Sequence, residues 1–167
     1  TFGPADGLTD SVVRSVVEDQ HGTLWVGTDR GLFQMSGDRL KRVDGTAGIP
    51  ELSVHSIFQT ADGAIWAGGT ALVSIKYGKA QTYPYPLKGR DMRVKSILQT
   101  TDGSIRIGDV SGLFRVAGQK LVRVPGIEHT VRILRQTEDG TVWIGTIGGG
   151  LYSMRPGEGP RSVSLSV

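Results

Sequence analysis

The sequence predicts an all-β chain of four consecutive β-propeller blades, each a four-stranded antiparallel sheet. Four stretches repeat one pattern: GTLWVGTDRGLF, GAIWAGGTALV, GSIRIGDVSGLF and GTVWIGTIGGGLY. Their central position is occupied by Trp25, Trp66, Arg106 and Trp143, so the repeat spacing is 41, 40 and then 37 residues. Self-similarity at such a period is typical of repeat folds. No long window has helical periodicity in its apolar positions, which favours strands throughout.

The first copy illustrates how one blade is predicted from local composition. Ser11–Val17, Thr23–Val26, Leu32–Met35 and Leu40–Val43 are short apolar or β-branched runs, and polar turns containing Gly, Asp or Ser separate them. Such runs are typical of strands joined by hairpins, and we label them a, b, c and d. The same division fits the later copies. It predicts repeats at 11–44, 52–85, 92–124 and 129–167 within a single propeller segment spanning 1–167.

The strands do not alternate between apolar and polar residues. Adjacent apolar pairs occur in strand a of three copies, as Val16-Val17, Ile57-Phe58 and Ile97-Leu98. A sheet covered on both faces need not alternate, whereas a half-solvated sheet would. Four-stranded sheets stacked between similar neighbours are the blades of a propeller, and neighbouring blades supply each other's core.

Two recurrent residue types have structural roles in this scheme. A glycine three residues before the central position is expected at positive φ in each a–b hairpin: Gly22, Gly63, Gly103 and Gly140. Trp25, Trp66 and Trp143 are expected to be buried at equivalent places between blades, because aromatic burial dominates core energetics. Arg106 breaks this column, so the interface there should be weaker or repacked around an ion pair.

The repeat resembles a known family. The segments Glu18–Phe33 and Glu138–Tyr152 best match the two-component regulator propeller repeat, with its W-x-G-T-x-x-G-L-F/Y core, and the second and third copies are divergent. The resemblance implies a non-catalytic sensor module in the periplasmic, extracytoplasmic half of a membrane-anchored protein. It also implies signalling domains of the parent chain as partners, in hybrid histidine kinases or diguanylate cyclases. The family's rings usually have more than four blades.

One column of residues is the candidate ligand site. The residue after each strand-a valine is basic or potentially basic in every copy: Arg14, His55, Lys95 and Arg132. Strand a is the innermost strand of a propeller blade, so these groups would surround the channel mouth and favour an anionic ligand, with acidic oligosaccharide the first class to test. Arg30 and Arg90 lie in variable connections expected at the same mouth. The alternative is that these positions are basic only because they are solvated.

Composition excludes several classes of function. The net charge is +3 and the Lys and Arg residues are scattered, which argues against nucleic acid. The chain has no cysteine, so disulfides and thiolate metal sites are excluded, and no motif predicts a cofactor or metal. No apolar run is long enough to span a bilayer, so direct membrane insertion of this segment is not expected. The absence of an initiator Met and of a signal segment suggests an excised piece of a longer protein.

Two other classes of function stay open. Antibiotic-lactone lyases have a similar glycine- and tryptophan-rich propeller repeat and use His and Glu with a divalent metal, and here His55 or His129 with Glu128 could be invoked. A pure protein-interaction scaffold is the other alternative. The cluster Tyr77, Tyr83 and Tyr85 is expected to pack against the outer strands, with a sugar-stacking platform as the alternative.

Association is the last expectation. Four blades would leave two exposed blade faces unless the ring closes at four, pairs with a second chain or is completed by its parent protein. Contiguous apolar faces of that size are seldom left in water. The sequence therefore predicts a segment of a larger propeller or a homodimer that completes a ring.

Overall fold

The computed structural model describes residues 12–45 and 48–164. This part of the chain contains sixteen β-strands and no helix, so it has no helix that could cross a membrane. The strands form four antiparallel four-stranded sheets, in each of which consecutive strands are neighbours. The predicted fold class, four four-stranded antiparallel blades, is confirmed. The first strand of each sheet begins near a repeat valine, and the strand ends differ from the predicted ones by a residue or two.

The chain divides into two compact units, Thr1–Pro84 and Tyr85–Val167, with two blades in each. The first blade of the first unit comprises β1 (Val13–Glu18), β2 (Leu24–Thr28), β3 (Gly31–Ser36) and β4 (Arg39–Arg42). Its second blade comprises β5 (Val54–Gln59), β6 (Ile65–Gly69), β7 (Leu72–Lys76) and β8 (Lys79–Thr82).

The second unit contains the third and fourth blades. The third comprises β9 (Val94–Gln99), β10 (Ile105–Asp109), β11 (Gly112–Ala117) and β12 (Lys120–Val124). The fourth comprises β13 (Thr130–Gln136), β14 (Val142–Ile147), β15 (Leu151–Met154) and β16 (Arg161–Ser162). The last strand is only two residues long and pairs with β15 through Tyr152 and Ser153.

The a–b hairpins use the predicted glycines. Gly22, Gly63, Gly103 and Gly140 have φ values of 77°, 82°, 81° and 81°. These values lie in the left-handed region, where a Cβ atom is disfavoured. In the second, third and fourth blades the Asp before the glycine accepts a hydrogen bond from a Thr hydroxyl at the end of strand a, which fixes the turn.

Neighbouring blades within each unit are joined by the same contact. The first valine of strand a fits against a glycine of the preceding blade's strand b: Val54 against Gly27 in the first unit, and Val131 against Gly108 in the second. A Cβ atom at either glycine would lie 2.5–2.6 Å from the valine Cγ1. Both valines are fully buried, which contributes about 1.5–3 kcal/mol each.

A hydrogen bond accompanies each of these contacts. The hydroxyl of Ser15 accepts a bond of 3.1 Å from the Ile57 backbone N–H, and Ser96 accepts one of 3.1 Å from Leu134. Strand a of the following blade thus supplies both groups of the junction, the buried valine and, three residues later, the donating N–H. The unpaired N–H in the middle of the next strand is thereby satisfied.

Two buried carboxylates stabilise the connections that follow strand d or precede strand a. Asp44 accepts hydrogen bonds from the backbone N–H groups of Leu32 and Leu52 and from the Arg42 guanidinium. Asp109 accepts bonds from the Tyr85 hydroxyl at 2.6 Å and from the backbone N–H of Arg93 at 2.7 Å. Burial, together with the bond to Asp109, raises the pKa of Tyr85 to about 12, so the phenol stays neutral and donates.

The tryptophan prediction is correct at two positions and wrong at the third. Trp25 and Trp66 are both buried, at 6% exposed. Trp143 is only half-buried, although its place in strand b is equivalent. Trp25 belongs to an apolar cluster that contains Val54 and Ile57 of the following blade. Trp66, in the last blade of the first unit, is covered by the stacked Tyr83 ring, whereas Trp143 has no ring stacked on it within the described part of the chain.

The tyrosine cluster divides between packing and exposure. Tyr83 is buried and stacks on Trp66 with a centroid distance of 4.9 Å, and Tyr85 lies 5.7 Å from the Phe114 ring. The packing interpretation is confirmed for these two. Tyr77 is 91% exposed, with φ at 49°, and the Lys76 ammonium lies 5.5 Å from its ring centroid.

Candidate functional site

The predicted basic column has a common backbone feature. In all four blades the pairing register of strand a shifts across the column position, between Val13 and Ser15 in the first blade and at the equivalent places in the others. Arg14, His55, Lys95 and Arg132 are thus the extra residues of β-bulges. A bulge re-aims its side chain and often lies beside a functional site. The sequence repeat alone gave no sign of these bulges.

In the first unit the column is joined to an acidic residue. Arg14 donates two hydrogen bonds of 2.8 Å to the Asp29 carboxylate. His55 Nε2 lies 3.8 Å from the same carboxylate and 3.0 Å from the Ser53 hydroxyl. Asp29 therefore brings two predicted residues together and offsets the positive charge of Arg14. This pair does not by itself form a strongly positive surface.

The other predicted residues are Arg30 in the first unit and Arg90, Lys95 and Arg132 in the second. Arg30 is exposed and lies in a shallow depression of about 370 Å³ that also includes Asp29 and Arg42. In the second unit Lys95 is half-buried, and Arg90 and Arg132 are exposed. The anionic-ligand role of the column remains a prediction.

The groups required by the lyase alternative have other contacts. Glu128 accepts a hydrogen bond of 2.7 Å from Arg123, and His55 lies beside Ser53 as described. His129 lies against Gly149 in a loop of the fourth blade. Across residues 12–45 and 48–164, no three His, Asp or Glu side chains are grouped so that they could hold a metal ion.

A second kind of candidate site is the cleft between the two blades of each unit. The cleft of the first unit has a volume of about 440 Å³ and that of the second about 430 Å³. The two are built alike. Gln59 Oε1 accepts a 2.8 Å bond from the Gln20 backbone N–H in one, and Gln136 Oε1 accepts a 2.8 Å bond from Thr101 in the other.

The side chains that line the two clefts differ in charge. In the first unit Trp25 donates from Nε1 to Asp19 at 2.8 Å, and Lys76 pairs with Asp62 at 2.6 Å. In the second unit Arg106 replaces the tryptophan, and Arg155 occupies the place of Lys76. Four arginines line this second cleft against two carboxylates: Arg106, Arg115, Arg123 and Arg155 against Asp102 and Glu158. We refer to it as the arginine cleft.

Arg106 is the central residue of the arginine cleft. Its Nε atom is buried and has no hydrogen-bond partner among the described residues. Burial lowers the pKa of Arg106 from its ordinary value, the nearby Asp102 opposes that shift, and Arg115 adds to it. The ion pairs of the described residues do not include Arg106, so the predicted repacking around an ion pair is not observed.

Sequence reasoning singled out Arg106 as a break in a column and did not identify a site. The signal that could have located one is the hairpin register. Arg106 and Arg115 are directly opposite each other on β10 and β11. A short b–c hairpin would place two residues at this sequence separation opposite each other. Their pairing can be assigned only when the length of the turn between the strands is known.

Comparison with known proteins identifies the repeat. Residues 7–30 match the Two component regulator propeller family. The resemblance is confirmed over this segment, which includes part of the first copy. The comparison with curated proteins found no match.

Solved structures resemble the chain over almost its whole length. The extracellular domain of a protein described as a hybrid two-component system of B. thetaiotaomicron has a TM-score of 0.79 at 22% identity, covering 94% of this chain and 22% of that one. A second such domain from the same organism has a TM-score of 0.75 at 19% identity, covering 92% and 22%. Virginiamycin B lyase from Staphylococcus aureus has a TM-score of 0.72 at 15% identity, covering 93% and 56%.

These likenesses concern the fold. At 15–22% identity they support the propeller architecture, which enzymes and sensors share. The chain spans 22% of the length of the two-component-system domains that it matches.

Proposed function

We propose that this chain, which carries a two-component regulator propeller repeat, is a non-catalytic ligand-binding segment of an extracytoplasmic sensor. Signalling domains elsewhere in the parent protein would receive the signal, and the periplasm is the proposed compartment. The observation that carries the proposal is the family match over residues 7–30. The likeness to extracellular domains of two-component systems supports it over 92–94% of the chain.

The side-chain geometry favours binding over catalysis. A metal-assisted lyase needs a His and a carboxylate that converge on one ion. Here the Glu128 carboxylate is bonded to Arg123, and the Asp29 carboxylate near His55 is bonded to Arg14. By contrast, the clefts of both units have the volume of small-molecule sites and a mixed polar and apolar lining.

One experiment tests binding and turnover together. The purified chain is titrated calorimetrically with neutral and acidic oligosaccharides and with a streptogramin B lactone in the presence of Mg²⁺, and each mixture is then analysed by mass spectrometry. We expect saturable binding of at least one saccharide, and we expect every compound to be recovered without chemical modification. A linearised lactone would contradict the non-catalytic assignment. Absence of binding across the panel, with a protein recovered in pull-down from the native host, would favour an interaction scaffold.

A further inference from the structure

We propose that the arginine cleft of the Tyr85–Val167 unit binds a small organic anion, a carboxylate or sulfate carried on a body of monosaccharide to disaccharide size. The inference rests on the proposed function, because it names the site and ligand class of the same sensor module. It differs from the sequence prediction, which placed an anion at the basic column that contains Arg132.

The first argument is the unsatisfied Nε atom of Arg106. In the equivalent cleft Trp25 has its one donor satisfied by Asp19 at 2.8 Å. Arg106 occupies the same place in strand b, yet its buried Nε has no acceptor among the residues that the structure describes. A buried donor without an acceptor costs free energy, and more so when the donor is charged. An anion in the cleft, which the partly exposed Arg106 lines, would compensate the charge of this guanidinium.

The second argument is a pair of like charges. Arg106 and Arg115 are directly opposite each other on adjacent strands. The equivalent pairs in the other blades are Trp with an uncharged polar residue: Trp25 with Gln34, Trp66 with Ser74 and Trp143 with Ser153. Like charges in directly opposite positions destabilise a sheet. A bound anion between the two guanidinium groups would convert this repulsion into two attractions.

The acidic side chains of the cleft already have other partners. Asp102 accepts hydrogen bonds from the Thr100 hydroxyl at 2.5 Å and the Ser104 backbone N–H at 3.0 Å. Glu158 lies 3.4 Å from Arg161. Neither carboxylate forms an ion pair with Arg106 or Arg115 in the described part of the chain. Arg123 is bonded to Glu128, so the charges of Arg106 and Arg115 are the ones available to a ligand.

The lining indicates the class of ligand. The guanidinium fork matches the oxygen geometry of carboxylate, sulfate and phosphate groups. Around the arginines the wall is apolar, with Val122, Val142, Met154 and Pro156 among the lining residues. A volume of about 430 Å³ is larger than a bare inorganic ion needs and lies within the range of small organic ligands. A ligand that joins an anionic group to a ring with apolar faces, such as a uronic acid, fits both the guanidinium groups and the apolar wall.

The test compares three variants of the chain. Sodium glucuronate, sodium sulfate and glucose are titrated into the wild type and into Arg106→Trp, Arg115→Gln and Arg132→Gln, with far-ultraviolet circular dichroism and Tm as fold controls. Arg106→Trp restores the residue of the other blades and fills the cleft. Arg115→Gln keeps the β11 backbone and removes one charge. Arg132→Gln is the matched control, since it removes an exposed arginine of the basic column.

We expect the wild type to bind glucuronate saturably and glucose not at all. Arg115→Gln should weaken glucuronate binding about tenfold or more, as loss of a charge-assisted hydrogen bond does. Arg106→Trp should remove binding while Tm stays equal or rises, and Arg132→Gln should leave it unchanged. Binding lost in Arg132→Gln and retained in the other two would overturn the proposal in favour of the basic column. Sulfate binding without glucuronate binding would also overturn it, because the ligand would be an inorganic ion only.

Failure of this proposal is distinguishable from failure of the proposed function. If glucuronate does not bind but another saccharide of the panel does, the arginine-cleft assignment fails and the sensor assignment stands. If glucuronate binds at the arginine cleft and is recovered chemically altered, the site stands and the non-catalytic assignment fails.

Discussion

At the scale of single residues, Trp25 and Arg106 demonstrate how one structural position can serve two purposes. Trp25 packs against the following blade and satisfies its indole N–H on Asp19. Arg106 has the same position in its strand, but its Nε has no hydrogen-bond partner among the described residues and it has no aromatic ring to pack against the following blade. The blade fold is maintained by contacts that both blades keep, namely the valine, glycine and serine of the blade junction. The central position can therefore change from a packing residue to a charged one.

Trp25→Ala should be strongly destabilising. Removal of a buried tryptophan typically costs about 3–5 kcal/mol, because transfer free energy is lost and a cavity remains. Trp143→Ala is the control, because that side chain is half-buried and should lose clearly less. The free energies of unfolding from urea titrations of both variants provide the measurement. Equal losses would contradict the interblade packing assigned to Trp25.

Arg106→Trp should be neutral or stabilising when no ligand is present. The substitution removes the unsatisfied Nε and the like-charge pair with Arg115, and it adds apolar surface to the interface. Arg115→Gln, which relieves only the repulsion, should give a smaller gain. Thermal unfolding of the three proteins at low ionic strength provides the comparison, since salt screens the repulsion. A clear loss of stability in Arg106→Trp would mean that the cleft has no room for an indole.

At the scale of elements, the turn of the β5–β6 hairpin contains a carboxylate whose protonation affects the stability of the fold. The Asp62 carboxylate accepts hydrogen bonds from the Lys76 ammonium and from the Thr60 hydroxyl. The bond from Lys76 is the largest cause that lowers the pKa of Asp62, to about 2, and the bond from Thr60 is the next. An unperturbed aspartate has a pKa of about 3.9. Because the folded pKa is the lower one, the carboxylate stabilises the fold fully above pH ~4, and that stabilisation is lost as the pH falls through ~2.

Asp62→Asn should therefore make the free energy of unfolding less dependent on pH in the acidic range. We expect the free energy of unfolding of the wild type to fall more steeply than that of the variant between pH ~4 and ~2. Asp102 and Asp139 also have lowered pKa values, chiefly through the Thr100 and Thr137 hydroxyls, so part of the dependence will remain. Urea titrations at three or more pH values measure the slopes. Parallel slopes would indicate that the Lys76 pair does not persist in solution.

The elements themselves were predictable because their signals are local. Apolar runs between turn residues located all four strands of each blade, and Gly22 and its equivalents located the hairpins. The strand-a bulges were not predictable, since Arg14 and its equivalents become extra residues only through the pairing register with strand b. To predict the arginine cleft, one would have to know two strand-pairing registers and the geometry of one blade junction. The exposure of Trp143 was not predictable either, because Tyr83, which covers Trp66, does not recur in the other copies.

At the scale of the whole molecule, the two blade faces that lie away from the blade junction of their own unit, on the first and the fourth blade, differ from the faces inside the junctions. Val13 and Val16 on β1 are 44% and 54% exposed, whereas the equivalent Val54 and Ile57 are buried at 0% and 6%. In the fourth blade Ile133 replaces the serine that accepts the interblade hydrogen bond at Ser15 and Ser96. Ile133 is 61% exposed. Both faces thus present apolar side chains, as an association surface would.

The association predicted from the sequence, a homodimer or a larger ring, can be tested through Ile133. The Ile133 Cγ2 atom lies 2.7 Å from where a Cβ atom at Gly145 would be, so it fills the place that Val54 and Val131 occupy at the internal junctions. A blade that docked here in the internal manner would meet this side chain and would find no serine hydroxyl. The wild type should consequently self-associate only weakly through this face.

Ile133→Ser restores the residue of the other three blades and should strengthen head-to-tail association. Val13 of a second copy could then approach Gly145, and the Val16 N–H of the same strand could donate to the new hydroxyl, as Ile57 does to Ser15. Sedimentation velocity over a range of concentrations should give a larger association constant for Ile133→Ser than for the wild type. Adding Val13→Asp should abolish the gain, because the charge would be desolvated at the junction. If Ile133→Ser instead weakens association, the fourth blade binds its partner through the isoleucine surface, and its outer face is not a blade junction of the internal type.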